Sequence, residues 1–133
     1  MHSARARRAL FAIAIAAAGV CCRPSEPLRV STLQIGRSLN PDNSVGIHTT
    51  RFKPDDSIYV SVLSDKPGYG TLTVRWLFSG QPVSEAKREV SYQRAAATEF
   101  HLQNSGGFPP GEYSVEILIN GEPAGRRALR VEQ

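Results

Sequence analysis

The sequence predicts an all-β domain, an antiparallel β-sandwich of about seven to eight strands, behind an N-terminal export segment. Three observations carry that expectation. From residue 28 onward apolar and polar residues alternate, the period of a strand with one buried face. Clusters of Gly, Pro, Asn and Asp interrupt the alternation at intervals of about ten, the rhythm of a sandwich or barrel. Asn120-Gly121 sets two residues that accept positive φ side by side, the strongest short hairpin signal. A parallel α/β fold needs continuous apolar strands separated by helices, which are absent here.

Taken in order, Leu28, Val30, Leu33 and Ile35 begin the first strand, which Gly36 closes. Asn40-Pro41-Asp42-Asn43 is a turn cluster, residues 45–52 read as a short irregular strand, and Pro54-Asp55-Asp56 turns again. In residues 57–63, Ile58, Val60 and Val62 face one way and Ser57, Tyr59 and Ser61 the other. In residues 71–78, Leu72, Val74, Trp76 and Phe78 form the apolar face, and in residues 112–120 Tyr113, Val115, Ile117 and Ile119 do. One apolar and one mostly polar face implies an antiparallel sheet covered on one side. Residues 83–103 are ambiguous. Val83, Ala86, Val90 and Arg94-Ala95-Ala96-Ala97 would tolerate a helix with Ser84 as its cap. Val90-Ser91-Tyr92 and Phe100-His101-Leu102 read better as two strands with a loop between. The last strand, around residues 124–131, ends apolar at Leu129 and Val131, while Arg126 and Arg127 blur its register.

The first 21 residues follow the plan of a signal segment. Arg5, Arg7 and Arg8 precede an apolar run from Ala9 to Val20, too short to cross a hydrocarbon core of ~30 Å as a helix. Two processing routes stay open. Ala16-Ala17-Ala18 suits ordinary signal peptidase, which would leave Gly19 first. Cys21 or Cys22, followed by the polar tether Arg23-Pro24-Ser25-Glu26-Pro27, resembles a bacterial lipoprotein, a family in which that Cys is lipidated and becomes residue one. The position before it holds Gly, Ala or Ser in that family, whereas here Val20 precedes Cys21 and Cys21 precedes Cys22. The resemblance implies attachment to the outer membrane, because no Asp follows the Cys. The expected organisation is a signal segment over 1–21, a linker over 22–27 and a domain over 28–133.

The chain carries a net charge of +4, but Arg5, Arg7 and Arg8 supply three of its 16 basic residues. Without them 13 Lys and Arg face 12 Asp and Glu, a net of +1. The folded part therefore has no electrostatic footprint for nucleic acid. With both cysteines before residue 23, the domain must hold together through its core.

With the strands placed, Trp76 falls on the third strand of an immunoglobulin-like order, and Val60 or Val62 falls where such domains keep their first Cys. Tyr113 opens the strand that follows Pro109-Pro110-Gly111, with Val115 at the second Cys position. Pro110-Gly111-Glu112-Tyr113-Ser114-Val115-Glu116-Ile117 resembles the matching strand of a fibronectin type III or related immunoglobulin-like module. The resemblance implies a tyrosine corner at Tyr113, in which the hydroxyl bonds to backbone a few residues upstream. It gives Trp76 and Tyr113 roles in packing.

No nucleophile elbow, phosphate loop or paired Cys/His spacing occurs, so the expectation is a protein without catalytic activity, cofactor or metal. His48 and His101 lie alone on polar strand positions. Asn40, Asp42 and Ser44 mimic the first ligands of a calcium loop, but Arg51 stands where its bidentate Glu belongs. Asp55 and Asp56 are turn neighbours whose carboxylates point apart. The candidate contact residues are Lys66 and Tyr69, in a loop over 66–70, and Asn120 in the hairpin at the same end. Two functions follow: an exported envelope module acting through contacts with an unknown envelope protein, or a carbohydrate- or small-ligand-binding module using Tyr69 and Tyr59.

Overall fold

The computed structural model describes residues 26–133; the signal segment, Cys21 and Cys22 lie outside them. Among the described residues there are eight strands and no helix: β1 (Thr32–Gly36), β2 (Arg51–Phe52), β3 (Ile58–Ser64), β4 (Gly68–Phe78), β5 (Gln81–Tyr92), β6 (Ala96–Leu102), β7 (Gly111–Ile119) and β8 (Glu122–Val131). They form an immunoglobulin-like β-sandwich, a three-stranded sheet β1-β3-β6 facing a five-stranded sheet β2-β8-β7-β4-β5. Neighbours pair antiparallel except β2 with β8, which run parallel through Arg51 and Phe52. Within residues 83–103, 83–92 belong to β5 and 96–102 to β6, joined by a bend at 93–95.

The core follows the predicted alternation. Ile58, Val60 and Val62 of β3 meet Leu72, Val74 and Trp76 of β4 and Val115 and Ile117 of β7, and all are essentially inaccessible. Burying side chains of this size stabilises the domain by roughly 1.5–3 kcal/mol each before the entropic cost of ordering them. Trp76 lies opposite Val115 across the β4–β7 ladder, and Phe78 lies opposite Tyr113 with ring centroids 4.7 Å apart. The Tyr113 hydroxyl donates to the Pro109 carbonyl at 2.7 Å, and Phe108 packs edge-on against its ring. Burial raises the Tyr113 pKa.

Four expectations are corrected. The first strand is not continuous from Leu28: β1 starts at Thr32, while the Leu28 amide donates to Tyr69 of the opposite sheet. Leu28 and Val30 face the core from that crossing segment. The strand expected over 45–52 shrinks to Arg51–Phe52. Its first half instead folds over the outer face of β1 and β3. There the Val45 amide donates to the Gln34 side chain, the Ser61 hydroxyl donates to the Asn43 carbonyl, and Ser61 becomes fully buried. The outer face of the small sheet is thus covered over β1 and the middle of β3. Finally, His101 is not alone: its ring bonds to Glu99 and lies 5.8 Å from the Tyr59 ring.

The segment over 40–46 is an Asx-type turn. Asp42 accepts from the Ser44 amide and hydroxyl, which hold its carboxyl below the usual range. Asn43 takes a φ of 70°.

The hairpin at Asn120-Gly121 forms with φ of 51° and 82°. A second one, unforeseen, forms at Ser79-Gly80 with φ of 48° and 82°. Both match the two-residue turn whose twist suits paired strands. The local sequences are alike: Ser79-Gly80-Gln81-Pro82-Val83 and Asn120-Gly121-Glu122-Pro123-Ala124. Each returning strand bulges at its third residue, since Trp76 pairs with Ser84 but Leu77 with Pro82, and Ile117 pairs with Gly125 but Leu118 with Pro123. Proline, lacking an N–H, occupies a rung that makes no ladder bond.

Candidate functional site: the outer face and free edge of the five-stranded sheet

Because one face of β4, β5, β7 and β8 packs on the core, their other face projects outward together. Register aligns its charges in one row: Glu85 of β5 opposite Arg75 of β4, Arg75 opposite Glu116 of β7, Glu116 opposite Arg126 of β8. The ion pairs follow at 3.4, 3.6 and 3.3 Å. Lys87 extends the row to Glu85 at 3.9 Å, and Arg130 reaches Glu112 at 3.7 Å. Exposed pairs of this kind are each worth ~0–1 kcal/mol, so the row sets surface charge more than stability. It resolves the blurred register of β8: Arg126 points outward, Arg127 inward.

Arg127 and a counterpart on β5 close the edges of the smaller sheet. Arg127 donates to the Leu33 carbonyl of β1 at 3.0 Å. Arg88 donates to the Glu99 carbonyl of β6 at 2.9 Å and lies over the Phe100 ring, 4.5 Å from its centroid. Residues 47 and 49 cover more of β1, with Ile47 accepting from Arg37 and Thr49 donating to Ile35. β5 remains: among the described residues it has a strand neighbour on one side only. Of its twelve residues nine are exposed and none is buried, and Val83 is 54% exposed.

Of the three contact candidates, two meet. Tyr69 and Asn120 share a shallow groove of about 350 Å³ with Gly70, Thr71, Glu89, Val90 and Ser91. The Asn120 amide N–H donates to the Thr71 carbonyl while its side-chain oxygen accepts from the Thr71 amide, both at 2.9 Å. Tyr69 lies on β4 rather than in a loop, because the backbone of Glu26 and Leu28 pairs with it. Lys66 is exposed in the β3–β4 turn, its carbonyl held by the Ser64 hydroxyl, and does not line the groove. Tyr59 belongs to the other sheet, five residues before the end of β3, so the two tyrosines share no surface. Glu89 and Ser91 escaped the sequence reading because nothing local shows that β5 lies beside Tyr69. At the same end of β5, the Tyr92 hydroxyl is buried with no hydrogen-bond partner among the described residues; burial raises its pKa and the charge of Arg88 opposes that rise.

The fold has relatives among solved structures. An immunoglobulin-like protein from Pseudomonas aeruginosa superposes with a TM-score of 0.54 at 12% identity, over 79% of this chain and 96% of that one. An alkylpurine DNA glycosylase from Pseudomonas fluorescens, bound to DNA containing an abasic-site analogue, superposes with a TM-score of 0.52 at 14% identity. That match covers 81% of this chain but only 31% of the glycosylase. At such identities the likeness is one of fold. No family model and no curated protein matches the chain.

Proposed function

We propose that this chain is an exported, non-catalytic module of the bacterial cell envelope, held at a membrane by lipid on Cys21 or Cys22 and working through protein contacts. The observation that carries the contact role is the β5 edge. It is long and exposed, and among the described residues it stays open, whereas arginines and a folded-over loop close on the edges of the smaller sheet. An open edge pairs readily with a further strand. Export and attachment rest on the basic start, the apolar run and the adjacent cysteines. The test is intact mass from membrane and soluble periplasmic fractions, followed by crosslinking in the envelope. A mass for cleavage before Cys21 or Cys22 plus acyl chains supports the tether. A soluble species starting at Gly19 removes it, and no crosslinked partner removes the contact role.

A second reading has its own observation. Tyr69, Asn120, Glu89 and Ser91 line one shallow groove, and an aromatic face beside an amide, a carboxylate and a hydroxyl is the chemistry that holds a sugar ring. Saturable binding on a glycan array that disappears in Tyr69→Ala, with an unchanged melting curve, supports this reading. Flat titrations across a broad panel remove it.

A further inference from the structure

We infer that the occupant of the β5 edge is a second copy of the same chain, its β5 running antiparallel with Ala86 on the two-fold axis. The inference rests on the contact role proposed above and narrows it to one partner.

The backbone is correctly presented. The Thr71 carbonyl accepts from the Asn120 amide on the β7 side, so odd residues of β4 turn their amides to β7 and even ones to β5. The register pairs Gly70 with Val90, Leu72 with Arg88 and Val74 with Ala86. Even residues of β5 therefore bond to β4, and Glu85, Lys87, Glu89 and Ser91 direct N–H and C=O to the open side.

Charge selects the partner and the register. A two-fold pairing keeps outer residues opposite outer residues, because a slip of one would exchange the faces. Centred on Ala86, Glu85 opposes the second copy's Lys87 and Lys87 opposes its Glu85. Both are rungs that exchange two backbone hydrogen bonds. The smallest side chain of the strand sits on the axis, and Ser84 opposes Arg88. Centred on Lys87, the strand would set Lys87 against itself and Glu85 against Glu89. Centred on Arg88, it would set Arg88 against itself beside the β6 edge it already clamps. Pro82 and the bulge at Val83 end the ladder where Val83 meets Glu89. The contact is a short one, in the size range of weak, transient association. Each Lys87 is exposed and only loosely held by its own Glu85 at 3.9 Å, so it can turn to the second copy. The two five-stranded sheets become one continuous sheet through an isologous contact, and tethering to a membrane raises the local concentration that favours it.

Sedimentation equilibrium on the purified chain is the test. The wild type moves from monomer toward dimer mass with rising concentration. Lys87→Glu and Glu85→Lys each weaken self-association by roughly tenfold or more, through two like-charge rungs. Mixed in equal amounts, the two variants regain a dimer, because every rung between them is again Glu against Lys. Glu85 also pairs with Arg75, so Lys87→Pro supplies a second probe: it removes one open-side N–H, leaves the β4 ladder intact and abolishes the dimer. Hydrogen exchange at positions 85 and 87 slows with concentration in the wild type and in the mixture, and in neither charge variant by itself. A wild type that stays monomeric with concentration-independent exchange overturns the inference, as does a mixture no tighter than either variant. Neither result touches the envelope crosslinking, which tests the contact role separately.

Discussion

The β4–β5 and β7–β8 hairpins turn on the same chemistry, yet their returning strands meet different fates. Both have a two-residue turn at positive φ, a proline at the second returning position and a bulge at the third. Both send an arginine across the sandwich to an edge carbonyl of the opposite sheet. β8 then buries Leu129 and Val131 and gains β2 as a neighbour. β5 buries nothing fully and, among the described residues, stays open. Local sequence thus determines the hairpin, and the position of the hairpin in the sandwich determines which residues become core.

The largest effect separates the two returning strands by burial. Leu129→Ala is expected to cost about 2–5 kcal/mol, by lost transfer energy and the cavity left behind. Val83→Ala on β5 should stay within about 0.5 kcal/mol. Urea unfolding measures both, and equal costs would break the contrast. The arginine clamps come next. Arg127→Met and Arg88→Met each remove a charged donor from an edge carbonyl, worth roughly 1–3 kcal/mol. Arg127 should lie at the upper end because its bond is half-buried, whereas that of Arg88 is exposed.

The turns should behave as one. Gly80 and Gly121 share a φ of 82°, and a Cβ on either would meet nothing within 4 Å. Alanine at each should cost the same, about 1 kcal/mol, from backbone strain alone. A large inequality would show that the hairpins differ at the turn and not only in burial. The smallest effect is alkaline. Burial raises the pKa of Tyr92 and Tyr113 above the ordinary 10.0, so the folded state favours the neutral phenols. Stability is therefore level below about pH 10 and falls as pH rises past it, where the unfolded chain ionises first. Tyr92→Phe should remove the β5 share of that fall, and a melting series from pH 8 to 11 reads it.

Where one face is buried, the alternation of β3, β4 and β7 names their core residues outright, because period-two hydrophobicity is the mark that one-sided burial leaves. β5 carries no such mark. Its strand character comes from β4, which pairs with it from Gly68 to Phe78, and Ala86 and Arg88 suit a helix as well as a strand. Ser79-Gly80 was the available clue, since its resemblance to Asn120-Gly121 marks a second tight hairpin. Strand order places Tyr69 and Asn120 at one end, but Glu89 and Ser91 join them only through the register between β4 and β5.

By itself, then, the sequence determined the all-β class, the core-facing residues of the central strands and the Asn120-Gly121 turn, because each depends on neighbours within a few positions. Only the tertiary structure decided that Ser61 is covered, that Arg88 and Arg127 span the two sheets, and that Glu85, Arg75, Glu116 and Arg126 stand in one row. Those facts depend on register between distant segments, and register is set by how two sheets share one core.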